Sequence, residues 1–535
     1  MSSSALWRTV LFHSACVTGL CLVAASAVTA QDAAAPPRMN APLLDALMEQ
    51  ELKAPLSPPV DDEQFLRRVT LDFIGRQPTP DEVADFMGSA AADKRAQVVE
   101  RLLADPEFGR NWAAYWSDTI GYRIPPPELT FLNYDPFKAW LATKLNENTS
   151  WDEVIRDVLS ATGKVKDNPP VTFVAYHEAH AQRLASETAR IFLSLQLGCA
   201  QCHDHPFDDW KREQFHELAA YFTRASVKFP WNEGIETEVK DKGKGEYEMP
   251  NVQDPTKKGT EMTPAFLTGE KLPKGKGDVE RRKELAQLIA SDQNPWFAKS
   301  YVNRIWARMM GRGFYEPVDD FGPAVTAMLP VVHEALSAEF KTSGHDVKAF
   351  FRLIANSQAY QQQLAQSESI ADRPFSSGAT GKLRGDEIFA SLVTSIELPN
   401  VTPPKVAPTK EIRFPPPPKS TRDLVAEAFA FDPSARVEDV SRTLQQAMLL
   451  MNNDQLQKQV DARPESGTVL SKLLQTESDN RAAVDRLFQL ILARKPRDTE
   501  LKVTLEHISA INNRGEAFED VLWSLINSAE FTTKR

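Results

Sequence analysis

The chain has 535 residues, of which 42% are hydrophobic, 25% charged and 9% aromatic, and this balance excludes wholesale disorder, a collagen helix and a coiled-coil rod. The length predicts roughly two to four domains, each able to bury a core of its own. The net charge is −11, which argues against nucleic-acid binding, and the four cysteines are too few for a disulfide framework to be the main stabiliser.

Residues 1–30 have the features of a secretory signal peptide. Arg8 is followed by an apolar stretch from Val10 to Val28, which closes on small residues up to Ala30. The alternative is an uncleaved membrane anchor, because the stretch is nearly long enough to span a bilayer. We predict cleavage after Ala30, no membrane span in the mature chain, and a periplasmic or secreted protein.

A Pro-rich lead over residues 31–60 precedes a first predicted helical domain at residues 61–224. Within this domain, a turn at residues 75–78 is followed by a capping box, with Thr79 as the N-cap and Glu82 as the third helical residue. The sequence therefore predicts helix, turn and helix at the start of the domain.

The pattern of this turn recurs near the C-terminus. The equivalent pairs are Arg76 and Arg494, Pro78 and Pro496, and Glu82 and Glu500. One pair does not make a repeat protein, so the pattern indicates either a duplication or a favoured helix–turn–helix.

Two stretches interrupt the helical periodicity further along the chain. Residues 225–280 are rich in Lys, Gly, Glu and Pro, and we interpret them as a linker with minor β structure. Residues 399–419 contain four consecutive prolines, which cannot lie inside a helix. The predicted fold is mainly α, with helical lobes at residues 61–224 and 281–535 and a small β-containing insertion between them.

A Cys-x-x-Cys-His motif lies between two predicted amphipathic helices, the first of which is expected to end at Gly198. The motif consists of Cys199, Cys202 and His203. This is the attachment motif of c-type haem, because thiols at this spacing can bond to the two vinyl groups of one porphyrin and the adjacent imidazole can ligate the iron. We predict one covalent haem c with His203 as the proximal ligand, and Asp204 and His205 as neighbours of the ligating ring or of a haem propionate.

Two other chemistries remain open for this motif. Cys199, Cys202, His203 and His205 could hold zinc or iron, although structural zinc normally draws its ligands from separate segments. A Cys199–Cys202 disulfide is the second alternative, although the βαβ context of thioredoxin-type sites is absent and so short a loop would add little stability.

The sixth iron position requires Met, His, Lys or water. The candidates in the sequence are His177, His180, His216, Met309, Met310, His333 and Met448. His177 and His180 are three residues apart and would share a face of a helix.

Enzymatic activity stays open at the level of the sequence. No nucleophile elbow, P-loop, dinucleotide fingerprint or HExxH zinc site occurs in it. The adjacent carboxylates Asp208–Asp209 and Asp319–Asp320 are predicted to be helix caps or solvated loop residues.

Both halves of the chain resemble known families. The first half is similar to the planctomycete cytochrome-type domain of unknown function 1549, at Arg67–Glu82 (RRVTLDFIGRQPTPDE) and at Leu197–Phe207 (LGCAQCHDHPF). The second half is similar to the domain of unknown function 1553, at Arg282–Ala286, Asn303–Gly313, Val318–Gly322 and Gln446–Asn453.

This resemblance implies an exported, haem-c-associated component, considered alongside the breakdown of polysaccharides or sulfated substrates. It assigns Cys199 and Cys202 as thioether attachment points and His203 as the proximal ligand. Since the Pro-rich lead passes directly into the 1549-like region, we expect a single haem. The expected partners are a redox protein of unknown identity and polysaccharide or co-exported hydrolases or sulfatases.

Two functional hypotheses follow from the sequence. The first is a redox protein that performs electron transfer or a haem-assisted oxidation. The second is a structural or carbohydrate-binding module, in which the haem or a Cys199–Cys202 disulfide only stabilises the fold.

Overall fold

The computed structural model describes residues 38–121, 135–230, 236–254, 256–363, 374–378, 380–404, 418–436, 439–440 and 443–534. The predicted signal peptide and residues 405–417 of the second Pro-rich stretch lie outside the described residues. Among the described residues, no helix combines the length and the apolar character needed to cross a membrane.

Helices dominate the described part of the chain, which confirms the mainly α fold class. Those before Phe375 are α1 (Ala41–Leu52), α2 (Asp62–Ile74), α3 (Pro80–Gly88), α4 (Lys94–Ala104), α5 (Pro106–Ile120), α6 (Asp135–Asn146), α7 (Trp151–Ser160), α8 (Thr172–Tyr176), α9 (Ala181–Leu193), α10 (Arg212–Ala219), α11 (Asp278–Ile289), α12 (Phe297–Met310), α13 (Pro330–Thr342), α14 (Val347–Ala355) and α15 (Gln358–Gln361). Those after Leu383 are α16 (Gly385–Ile396), α17 (Thr421–Ala428), α18 (Leu444–Asn452), α19 (Asp454–Val460), α20 (Val469–Thr476), α21 (Asn480–Leu492), α22 (Asp498–Ala510) and α23 (Arg514–Ile526).

The described strands are short and form small antiparallel sheets. They are β1 (Gly163–Lys164), β2 (Ala225–Lys228), β3 (Glu238–Asp241), β4 (Tyr247–Met249), β5 (Thr260–Met262), β6 (Gly381–Lys382) and β7 (Thr533–Lys534). The first sheet has the order β1-β3-β2, whereas β4 pairs with β5 and β6 pairs with β7. Because β2 to β5 lie within residues 225–280, the predicted β-containing insertion is confirmed.

Helix α1 lies within the stretch predicted as a Pro-rich lead. The side chain of Asn40 accepts a hydrogen bond from the Leu43 backbone N–H at 3.0 Å, which caps the first turn. Proline is tolerated in this first turn because its missing N–H would have no helical partner there. The helix buries Leu44 and Met48, so the described part of the lead belongs to the folded core.

The buried apolar side chains form two cores. The first extends from Leu44 to Phe375 and includes helices from both predicted lobes, and Ala493, which follows α21, also belongs to it. The second extends from Leu383 to Phe531, and Leu71 of α2 also belongs to it. The cores therefore divide between Phe375 and Leu383, at a different place from the predicted linker.

The first core continues past residues 225–280 because α11 packs directly on α7. Arg282 of α11 is fully buried and donates hydrogen bonds of 2.7 Å to the carbonyl oxygens of Leu159 and Ala161 at the end of α7. Its Nε donates to Asp278 at 3.0 Å, which pairs the buried charge. The small sheets therefore lie beside this helix pair and do not separate two independent lobes.

The C-terminal residues attach the second core to α2. Arg67 of α2 donates hydrogen bonds to the carbonyl oxygens of Glu530 and Thr533, at 2.7 and 3.1 Å. The ammonium group of Lys534 forms an ion pair with the buried carboxylate of Asp72, also on α2. The last residues of the chain are thus part of the packing between the two cores.

The turn between α2 and α3 forms as the sequence predicts. Gly75 ends α2 in the left-handed region, with φ of 68°. The guanidinium of Arg76 donates to Glu82 at 2.7 Å, and the same carboxylate accepts the backbone N–H of Thr79 at 2.8 Å. Burial alone would raise the pKa of Glu82, but these bonds lower it to about 2.

The turn between α21 and α22 repeats this arrangement. Ala493 ends α21 in the left-handed region, with φ of 57°. Arg494 donates to Glu500 at 2.8 Å, and Glu500 accepts the backbone N–H of Arg497 at 2.7 Å. The sequence pattern therefore corresponds to a structural repeat of the same hydrogen-bonded turn.

Replacing the glutamate of either turn is expected to destabilise the protein. Glu82→Gln and Glu500→Gln each remove a charge-assisted bond that is partly buried, and we expect a loss of about 1–3 kcal/mol. The loss should be larger for Glu82→Gln, because Arg494 keeps its second carboxylate partner, Glu530, at 2.7 Å. Urea unfolding at pH 7 measures both, with Glu506→Gln on an exposed pair as the control. Equal stability in all three variants would contradict the expectation.

Candidate functional site

The Cys-x-x-Cys-His motif lies on a short 3₁₀ turn at the surface. The turn spans Leu197–Gln201 and connects α9 to α10. Cys199 lies within this turn, and Cys202 is the residue that directly follows it. Both are exposed, free cysteines.

Helix α9 ends earlier than the sequence predicted. Ser194, and not Gly198, takes the left-handed conformation after the last helical residue, with φ of 54°. Its buried hydroxyl donates to the Val318 carbonyl at 2.9 Å and lies 2.8 Å from the hydroxyl of Ser300. This anchoring compensates for a conformation that is costly for a residue other than glycine, and it frees Leu197–Gln201 to form the separate turn.

The imidazole of His203 is exposed and oriented by the backbone. Its Nδ1 lies 2.7 Å from the carbonyl oxygen of Asp204. A carbonyl can only accept a hydrogen bond, so Nδ1 carries the proton and Nε2 keeps its lone pair. An imidazole fixed in this tautomer is suited to ligate a metal through Nε2.

The side chain of Asp204 holds the start of α10. It accepts the backbone N–H of Arg212 and the ammonium of Lys211, both at 3.1 Å. Both contacts lower the pKa of Asp204, and the hydrogen bond from the Arg212 N–H has the larger effect. Asp204 therefore fixes His203 through its carbonyl oxygen and fixes the following helix through its carboxylate.

His205 closes the loop that follows the motif. Its backbone N–H donates to the Trp210 carbonyl at 2.8 Å, and its Nδ1 accepts the N–H of Phe207 at 3.3 Å. These contacts leave the Phe207 ring projecting from the loop, with 78% of its surface exposed. An apolar side chain so exposed beside two thiols and an imidazole is a surface on which a flat apolar group could pack.

Beneath the turn, His216 of α10 holds the backbone of the motif. Its Nε2 lies 3.0 Å from the carbonyl oxygen of Gln201, and its Nδ1 lies 2.8 Å from the hydroxyl of Tyr247. Burial lowers the pKa of His216, which keeps the ring neutral. Since Nε2 donates to Gln201 and Nδ1 accepts from Tyr247, both nitrogens are engaged, and neither is open to an iron ion.

A loop from the second half of the chain lies against this site. The N–H of Phe321 donates to the carbonyl of Ser194 at 2.8 Å. At position 322, a Cβ would lie 2.8 Å from a carboxylate oxygen of Asp320, so any larger residue would displace the end of that side chain. The same Cβ would lie 4.0 Å from a carboxylate oxygen of Asp208, so the two acidic side chains are close neighbours across the two halves.

Asp319 differs from its sequence prediction. It is neither a helix cap nor a solvated residue, because it is buried and forms an ion pair of 3.0 Å with Arg190 of α9. Burial opposes the charge of Arg190, but the carboxylates of Glu187 and Asp319 raise its pKa. This pair connects the loop at Val318–Gly322 to the helix that precedes the motif.

The predicted candidates for the sixth iron position are not gathered at the motif. His177 is buried and His180 is exposed, so these two do not share a helix face. The ring of His333 is buried against Phe314, Tyr315 and Phe321. Met448 is exposed on α18, whereas His216 holds the backbone contact described above.

Among the described residues, no group of three or more His, Cys, Asp or Glu side chains is arranged to hold a metal ion. Cys199, Cys202, His203 and His205 are therefore not brought together as the ligands of one zinc or iron ion.

Two family models match this chain. Residues 40–227 match PSCyt2, described as a protein of unknown function (DUF1549), and residues 281–423 match PSD1, described as a protein of unknown function (DUF1553). The chain has no match among the curated proteins or the solved structures.

The two matched regions meet at the site, where the N–H of Phe321 donates to the carbonyl of Ser194. The DUF1549 match contains the Cys-x-x-Cys-His motif and its supporting helix α10, and it begins early enough to include α1. The DUF1553 match contains α12 and the Val318–Gly322 loop. Sequence reasoning found the motif by its spacing, but it missed Gln201, Tyr247 and the contact from the DUF1553 domain, for which no local pattern exists.

Proposed function

We propose that this protein is an exported redox protein with one covalent haem c. Cys199 and Cys202 would be the attachment points, and His203 would be the proximal ligand. The observation that carries the proposal is the exposure of both free thiols of the Cys-x-x-Cys-His motif at a surface turn, next to an imidazole whose Nδ1 lies 2.7 Å from a carbonyl oxygen.

The neighbouring residues support this assignment by holding the turn rigid. His216 and Arg212 both bond to the carbonyl oxygen of Gln201, at 3.0 and 3.3 Å. Asp204 orients His203 and caps α10. When bound, the haem would supply a one-electron couple at its iron, whose potential depends on ligation and exposure.

The position of the motif favours electron exchange with another molecule. Both cysteines, His203 and Phe207 are exposed, so a group attached here would present an edge to solvent. The predicted signal peptide and the resemblance to planctomycete cytochrome-type domains support a periplasmic or secreted location, in association with polysaccharide breakdown. The redox partner would be an exported protein or an oxidisable substrate.

Covalent haem in the mature chain is the decisive measurement. We expect protein co-expressed with a haem-c maturation system to give a pyridine haemochrome spectrum and a mass increase of one haem. Cys199→Ala combined with Cys202→Ala should remove the covalent haem entirely, whereas His507→Ala, at an exposed histidine elsewhere, should retain it. Mature wild-type protein without covalent haem would overturn the proposal.

A redox titration separates the redox role from a structural one. We expect the bound iron to cycle reversibly within physiological potentials, and His203→Ala to change both the spectrum and the potential. Iron that never cycles, or a His203→Ala variant with unchanged properties, would indicate that the haem only stabilises the fold.

A further inference from the structure

An internal cavity lies beside α12, in a part of the molecule that the proposed haem does not use. It lies between α5, the C-terminal half of α12 and residues 431–436. Its polar lining consists of four arginines, Arg304, Arg308, Arg312 and Arg436, together with Tyr115, Ser434 and Glu316. The carboxylate of Glu316 lies 3.7 Å from the guanidinium of Arg312. The cavity has a volume of about 40 Å³, which is room for about three water-sized spheres.

One of these arginines, Arg308, is fully neutralised. Its guanidinium donates to both carboxylate oxygens of Glu387 at 2.6 Å and to the Lys382 carbonyl at 2.9 Å. This bidentate pairing leaves little positive charge for a ligand.

Arg304 is different, because it is fully buried and forms no ion pair among the described residues. Its contacts are the carbonyl oxygens of Arg190 and Ile191, at 2.9 and 3.3 Å, and the hydroxyl of Ser434 at 3.2 Å. The nearby carboxylate of Asp319 is bonded to Arg190. Burial lowers the pKa of Arg304, as expected for a desolvated cation whose partners are uncharged oxygens.

Arg436 lies at the exposed rim of the same cavity. It donates to the carbonyl oxygen of Glu316 at 3.2 Å and, within the described residues, forms no ion pair. A second cation therefore borders the cavity without a carboxylate in contact.

Tyr115 adds a neutral donor to the wall. It is buried, and burial raises the pKa of its hydroxyl, so the O–H stays protonated at neutral pH. A phenol and four guanidinium groups therefore line a small cavity that holds one carboxylate, Glu316, which is already paired with Arg312. This excess of donors and of positive charge is suited to an anion.

We propose that this cavity binds a small oxyanion, namely a sulfate, a phosphate or a carboxylate group. The anion would neutralise the buried charge of Arg304, accept hydrogen bonds from Tyr115 and draw Arg436 over the opening. The site belongs to the Asn303–Gly313 stretch and its surroundings, and it is independent of the haem proposal.

Isothermal titration of the full mature chain with sodium sulfate, sodium phosphate and sodium acetate, at constant ionic strength set with sodium chloride, tests the site. We expect saturable binding of at least one anion at concentrations up to about 10 mM. The anion that binds most tightly identifies the ligand group. Absence of saturable binding of all three would overturn the proposal.

Variants locate the binding. Arg436→Gln and Tyr115→Phe keep the buried Arg304 in place, and each should weaken binding about tenfold, the usual effect of removing one hydrogen bond to a charged group. Arg352→Gln changes an exposed arginine that pairs with Glu100, and it should leave the affinity unchanged. Equal affinity in Arg436→Gln, Tyr115→Phe and wild-type protein would place the anion elsewhere and overturn the assignment.

Discussion

Replacing Asp72 with asparagine is expected to lower the free energy of unfolding by about 3–5 kcal/mol, the range for removing one partner of a buried ion pair. Asp72 is buried on α2, where one carboxylate oxygen pairs with Lys534 and the other accepts the Tyr360 hydroxyl at 2.7 Å. The variant would leave the Lys534 ammonium with the Arg308 carbonyl, at 2.6 Å, as its remaining described partner. A buried cation held only by an uncharged acceptor is strongly destabilising.

The charge state of Lys534 determines the size of this effect. Burial lowers its pKa to about 8, in spite of the neighbouring Asp72. At pH 7 the side chain therefore still carries its proton in the wild-type protein, and Asp72→Asn removes the carboxylate that favours this protonated form. Tyr360 supplies only its hydroxyl, because burial raises its pKa well above the ordinary range.

A double-mutant cycle separates the interaction energy of the Asp72–Lys534 ion pair from the energy of side-chain packing. Lys534→Met removes the cation and should restore part of the stability that Asp72→Asn loses, so the two effects should not add. Glu506→Gln, on an exposed pair in α22, should cost less than about 0.5 kcal/mol in the same urea titrations. Additive losses in the double variant would mean that Asp72 and Lys534 act independently.

The same pair shows why the junction of the cores could not be predicted from sequence. Asp72 and Lys534 are separated by 462 positions, and nothing in either local pattern specifies the other. The repeated turn was predictable because Arg76, Thr79 and Glu82 act within one short segment, where spacing and capping determine the structure. Local rules therefore predicted the turns, whereas tertiary contacts placed the boundary between the cores.

The same distinction between local patterns and tertiary contacts applies to the residues of the candidate site. Cys199, Cys202 and His203 were found because their chemistry depends on spacing within five residues. His216 was predicted as a possible iron ligand, but in the structure its Nε2 contacts the carbonyl oxygen of Gln201 and its Nδ1 contacts the hydroxyl of Tyr247. Tyr247 lies on β4 in the region interpreted as a linker, so its contribution depends on a fold that composition could not reveal.

Helix α1 illustrates a different limit of prediction from the sequence. The prolines between residues 31 and 60 predict an extended lead, because the average composition of the whole stretch is rich in proline. The structure uses Asn40 as a cap and places a proline in the first turn, where it is tolerated. A search for caps before averaging the composition would have found this helix.

Lowering the pH from 7 to 5 is expected to destabilise the protein by about 2 kcal/mol for each of two buried histidines, or about 4 kcal/mol together. Burial lowers the pKa of His177 to about 3 and that of His333 to about 4, against an ordinary value of 6.5. Both rings are therefore neutral in the folded protein at pH 5, whereas they are protonated in the unfolded chain.

The direction of this change in stability follows from the number of protons that the folded and unfolded states bind. Between pH 6.5 and 4 the unfolded chain binds more protons than the folded protein, so stability falls as the pH falls. Above pH 6.5 the free energy of unfolding keeps its full value with respect to these two histidines. It decreases progressively as the pH falls toward their pKa values in the folded protein. His333→Gln keeps a side-chain donor for the Lys299 carbonyl, which His333 contacts at 3.1 Å through Nε2, but it cannot titrate.

Urea unfolding of wild type and His333→Gln at pH 7, 6 and 5 measures the effect. We expect the variant to lose about 2 kcal/mol less than wild type between pH 7 and 5, whatever its stability at pH 7. His507→Gln changes an exposed histidine that contacts Asp520 and serves as the matched control. If His333→Gln and His507→Gln both reproduced the wild-type pH dependence, the neutral, buried state of His333 would not contribute to the acid sensitivity.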